Sequence, residues 1–165
     1  SLSADRAVTI CNALQERLGL SEAELKKVVL RMPAVLGGSI EASVLPSLAA
    51  LQERLGLSEA ELKKIVLRLP CVLSYSIEHN VVPSLSALQE RLALSKAELK
   101  TIVLRMPQVL GYSIEAKILP GLALLQELLG LNKTELKRIV LRLPSVFSYS
   151  IDANLLPSLA ALQER

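Results

Sequence analysis

Apolar residues recur along the chain at helical spacing, in runs that proline interrupts at fixed intervals. Leu62, Ile65, Val66 and Leu69 fall every three or four residues, which predicts one buried face of an amphipathic helix. Ser58-Glu59-Ala60-Glu61 precedes that run as a capping box, in which the serine hydroxyl and the glutamate carboxylate cover orphan amide protons. Pro70 stops the helix, because proline lacks the amide proton and drives the residue before it out of the helical region. The segment CVLSYS that follows is too short for an ordinary helix and is expected to form a tight 3₁₀ turn carrying Val72 and Leu73 into the core. A second helix is predicted from Ser76 or Ile77 to about Leu92. Pro83, inside it, either kinks this helix or marks its true first turn with Asn80 as cap.

The same pattern is written four times. Pro33, Pro70, Pro107 and Pro144 are 37 residues apart, and so are Pro46, Pro83, Pro120 and Pro157. A period of that length predicts an all-α superhelical solenoid, built by stacking a unit of two α-helices and a short 3₁₀ turn. After a half unit at 1–17, the units span 18–54, 55–91, 92–128 and 129–165, expected as a single repeat domain. The second and fourth agree at 26 of 37 positions. Ser21/Glu24, Ser95/Glu98 and Asn132/Glu135 repeat the capping box. Gly19, Gly56 and Gly130 stand where a helix end needs a left-handed residue, and Ala93 takes that place once.

Composition narrows the class. With 51% hydrophobic and 21% charged residues, the chain is expected to be ordered and rich in core. No stretch between charged residues exceeds eleven positions, short of the ~20 that a membrane-spanning helix needs, so no membrane role is expected. Cys11 and Cys71 occupy unrelated positions of the repeat and are read as free thiols in a reducing compartment. No basic or Arg/Ser-rich leader opens the chain at Ser1, so any targeting segment is expected to have been removed. The net charge of +3 points weakly toward polyanions. Cations and acids balance four to four in each of the first two units, then run four to three and five to three, so the C-terminal half is the more basic.

These elements together resemble the repeat of the mitochondrial transcription termination factor (mTERF) family. Leu-Gly-Leu-Ser opens the unit, Pro-x-x-Leu follows the first helix, Ser-Ile-Glu precedes the second, and Pro-x-Leu-x-x-Leu lies within it, over residues 13 to 165. The resemblance implies a left-handed superhelix of triangular units and a non-enzymatic role in mitochondria or chloroplasts. There the family binds nucleic acid in transcription, RNA processing or translation.

Cations off the buried stripe are the candidate contacts. Lys64 and Arg68 are neighbours four apart on the first helix of their unit, with Lys27/Arg31 and Arg138/Arg142 as counterparts; in the third unit Thr101 replaces the first cation and leaves Arg105. Arg31, Arg68, Arg105 and Arg142 are therefore expected to form a ladder that tracks the phosphates of double-stranded DNA or RNA, with Lys27, Lys64 and Arg138 beside it. The competing expectation is that Arg68 caps the last carbonyls of its own helix before Pro70. Aromatics for base stacking are few: Tyr75, Tyr112 and Tyr149 share one register, held by Gly38 in the first unit, and are read as partly buried packing residues. Duplex backbone binding thus ranks above base-by-base RNA reading. His79, the lone histidine, is read as an exposed variable position. With no His/Cys/Asp cluster, nucleophile set or glycine-rich phosphate loop, neither an enzyme nor a metal or cofactor is expected. A monomer is expected. The rival reading is a protein-binding or purely structural scaffold.

Overall fold

The structure is a computed structural model that describes residues 2–37 and 40–148. Every regular element among them is helical. The expectations for Gly38, Tyr149, Pro157 and the second helix of the last unit fall outside the described residues.

Four short helices, α2 (Glu22–Arg31), α4 (Glu59–Arg68), α6 (Lys96–Arg105) and α8 (Lys133–Arg142), begin on the four expected capping boxes, each with both reciprocal hydrogen bonds in place. Each ends two residues before a proline. Leu69 shows why: at φ −135° and ψ 72° it has left the helical region, as a residue preceding proline must, while its amide still donates to Ile65 O. The 3₁₀ turns Pro33–Gly37, Pro70–Ser74, Pro107–Gly111 and Pro144–Ser148 follow directly. Val72 and Leu73 are buried in theirs, as expected.

The longer helices are α1 (Leu2–Leu18), α3 (Leu45–Leu55), α5 (Val82–Leu92) and α7 (Leu119–Leu129). The described second-register prolines mark the true first turn of their helices, as the second alternative expects, but without Asn80 as cap. Helical backbone does begin at Ile77, but as a wide π turn, Ile77–Val81, in which Val81 N–H donates to Ser76 O at 3.2 Å and Val82 N–H to Ile77 O. α5 then starts at Val82 with Pro83 as its second residue, and Asn80 lies inside the wide turn rather than capping anything. Proline has no proton for the carbonyl four residues back and its ring collides with that carbonyl; shifting to five-residue bonding accommodates both facts. Ile114–Ile118 repeats the device before Pro120.

Gly19, Gly56 and Gly130 end their helices at φ +63°, +64° and +63°, and Ala93 adopts φ +53° in the same place. Leu57 N–H then reaches back to Gln52 O at 2.9 Å and closes the end of α3.

Two compact units divide the chain, Ser1–Pro83 and Ser84–Arg165. In the first, α1 lies against α2, α4 and the Pro33–Gly37 turn, and α2 lies against α4 and the Pro70–Ser74 turn, while α3 covers the wide turn Ile77–Val81. In the second, α6 contacts α8, and α7 closes on the wide turn that precedes it. Leu62, Ile65 and Val66 of α4 and Leu99, Ile102 and Val103 of α6 are completely buried. Complete burial of such a side chain is worth about 1.5–3 kcal/mol. Among the described residues no polar or charged side chain is buried, so the interior is apolar throughout.

Ala93 is the one described non-glycine residue in the left-handed region. An added Cβ at Gly130 would meet no atom within 4 Å, so the cost at this position is conformational rather than steric. Ala93→Gly is therefore expected to stabilise the protein by about 1 kcal/mol in urea unfolding. An unchanged midpoint would mean that the left-handed end carries no strain.

Candidate nucleic-acid interface

The short helices present cations at three positions, the second of them held by Thr101 in α6, and the structure gives them different surroundings. The first position is Lys26, Lys63, Lys100 and Lys137. Lys63 Nζ lies 3.0 Å from Glu24 Oε1 and donates to Gly19 O at 3.1 Å, so it ties α4 both to the capping box of α2 and to the left-handed turn before it. Lys137 makes the matching pair in the second unit, to Glu98 Oε1 at 2.8 Å and Ala93 O at 3.1 Å. The capping glutamate thus serves twice, closing its own helix and holding the lysine of the following repeat. Its carboxyl titrates accordingly. The Ser21 amide first and then Lys63 hold Glu24 below the usual range, and for Glu98 Lys137 leads and the Ser95 amide follows.

The long helices add a second kind of clamp. Arg17 donates to Glu59 Oε2 and to Gln52 Oε1, each at 2.7 Å, and Gln52 Nε2 passes the link on to Leu57 O and Glu59 Oε1 at 3.1 Å. The Gln52 amide first, and Arg17 next, lower the Glu59 carboxyl. Arg91 donates to Gln126 at 2.8 Å in the second unit. Sequence reasoning missed these clamps, although the signal was present: Gln15, Gln52, Gln89 and Gln126 recur every 37 residues, as do Arg17, Arg54 and Arg91. Leu128 breaks the arginine series.

All seven residues expected at the interface, Arg31, Arg68, Arg105, Arg142, Lys27, Lys64 and Arg138, are exposed. Arg105 has a capping role of another kind. Its guanidinium donates from Nη1 to Leu141 O at 2.7 Å and from Nη2 to Arg142 O at 3.2 Å. It therefore caps the end of α8, the helix of the next repeat. The fork geometry of a guanidinium suits two adjacent carbonyls, and the positive charge meets the negative end of the α8 dipole. Lys27, Lys64 and Arg138, by contrast, lie mid-helix, and their side chains make no hydrogen bond or ion pair with any described residue. Thr101, at their position in α6, donates to Ala97 O at 2.9 Å and is exposed.

Tyr75 and Tyr112 are half-buried, as expected for packing residues. Burial first, and contact with Cys71 Sγ 3.2 Å away second, push the Tyr75 hydroxyl up to about 12. Tyr75 also walls an open cleft of about 580 Å³ in the first unit, with Ser43, Ser47, Glu78 and His79 at its edges. No lysine or arginine lines that cleft, which separates it from the basic surface. Cys11 and Cys71 are free thiols, and His79 is exposed. Among the described residues no helix is long and apolar enough to cross a membrane.

Compared with known protein families, residues 7–165 match mTERF. A search of curated proteins gave no match.

The lowered carboxyls set an acid limit. A carboxylate depressed by folding contributes stability that is whole above its ordinary value of 4.5 and is lost as pH falls through the depressed value. Stability is thus expected to fall as the pH drops below about 4.5, and Lys137→Met, which removes the leading cause at Glu98, is expected to flatten that fall. Urea midpoints from pH 7 to pH 3 make the comparison. Parallel acid limbs in the two proteins would refute the assignment.

Proposed function

The chain belongs to the mTERF family, and from that premise we propose that it is a non-catalytic repeat protein of an organelle, mitochondrion or chloroplast, that binds the phosphate backbone of nucleic acid. The proposal includes one superhelical domain of four units, acting as a monomer, with double-stranded DNA as the preferred partner and RNA second. The supporting observation is a solvent-facing cation in the middle of α2, α4 and α8, at Lys27, Lys64 and Arg138, where nothing in the described structure occupies it. Arg31 and Arg142 add exposed charge one turn further on. Mid-helix charges are remote from the end effects of the helix dipole, so an anion meets them undiminished. Contacts of this kind give affinity without sequence reading, since the bases take no part.

Such binding releases condensed counterions, with a log–log salt slope of about −0.9 per phosphate on duplex DNA. Titration of fluorescent duplex DNA and RNA from 50 to 300 mM salt is expected to show affinity that weakens steadily with salt, and more strongly for the duplex. Binding that is unmeasurable at the low-salt end, or indifferent to salt, overturns the proposal in favour of a protein-binding scaffold.

A further inference from the structure

We infer that the first-helix cations divide their work: Arg105 is a staple that positions α8 against α6, and the phosphate contacts fall to the mid-helix cations Lys27 and Lys64 in the first unit and Arg138 in the second. The contact half rests on the nucleic-acid reading above; the staple half does not. Three observations separate the roles. Arg105 spends two guanidinium donors on Leu141 O and Arg142 O. Those carbonyls belong to the last turn of α8, which carries roughly half a negative charge, so a phosphate approaching there meets repulsion from the atoms that hold the arginine. Lys64 and Arg138 sit about a turn before the ends of their helices, with side chains that make no hydrogen bond or ion pair with a described residue.

The division also accounts for Thr101. In α6 the outward position carries a hydroxyl folded back on Ala97 O, so at this position the second unit holds one cation, Arg138, where the first holds two, Lys27 and Lys64. A lysine there would stand on the helix that packs beside the one bearing Arg138. Position 101 is exposed within a regular helix, so Thr101→Lys costs little in folding.

The test reads two quantities on each variant: the melting temperature, and the salt slope of duplex DNA binding. Lys64→Gln and Arg138→Gln are expected each to shallow the slope by about 0.9 and to leave the melting temperature in place. Thr101→Lys is expected to steepen the slope by about the same amount. Arg105→Gln is expected to melt about 2–4 °C lower with its slope unchanged. Arg105→Lys, which keeps the charge and loses the fork, is expected to melt lower as well. If Arg105→Gln shallows the slope while its melting temperature holds, or if Lys64→Gln and Thr101→Lys leave the slope of a salt-sensitive complex untouched, the division is wrong and the nucleic-acid reading survives it. If no variant and not the parent binds in a salt-dependent way, the nucleic-acid reading fails and takes the contact half with it. The melting temperatures then still decide the staple.

Discussion

None of the described helices covers its own apolar face. Leu62, Ile65 and Val66 are wholly buried on α4, an amphipathic helix of ten residues, and within the first unit the elements that lie against α4 include α1 and α2 from the repeats before it. Isolated helices of that length are marginal in water even with good propensity. Burial against neighbours is what makes each one a helix at all. Every other feature follows from this dependence: units must meet with their apolar stripes in register, and something must define that register.

The apolar interior gives little direction of its own, because area burial is non-directional and the described core contains no polar group to align. Direction comes instead from exposed polar clamps around the junctions. Lys63 reaches a capping glutamate and a turn carbonyl of the repeat before it, Arg17 reaches Gln52 of the repeat after it and Glu59 of the one after that, and Arg105 reaches two carbonyls at the end of α8. Each alone is weak, as exposed ion pairs are, at about 0–1 kcal/mol. Their value lies in geometry. A guanidinium fork on adjacent carbonyls, or an ammonium shared between a carboxylate and a carbonyl, is satisfied in one arrangement of the helices and broken in a shifted one.

This economy bears on function. A cation engaged at a junction is poorly placed to meet a phosphate, and a cation facing solvent contributes nothing to the junction. The short helices hold both kinds within two turns, separated by where the neighbouring backbone happens to lie: Lys137 and Arg105 bridge repeats, whereas Arg138, adjacent to Lys137 in the chain, points elsewhere.

Local chemistry was legible in the residues. The capping boxes, the stops before proline, the 3₁₀ turns and the left-handed glycines depend on contacts within a few residues, and the folded chain realises each of them where it is described. The prolines of the second register were less legible, because whether a proline kinks a helix or widens the turn before it depends on small adjustments of several carbonyls at once. The cations were the least legible. Residue type and helical spacing identified Arg31, Arg68, Arg105 and Arg142 as one class, yet a wheel drawn for one helix contains no other helix. The sequence alone settled the repeat, its punctuation and which side chains stay out of the core. Which of those exposed cations hold the protein together was decided by tertiary structure, since the carbonyls that receive Arg105 lie 36 and 37 residues away along the chain and come within reach only when one repeat is laid against the next.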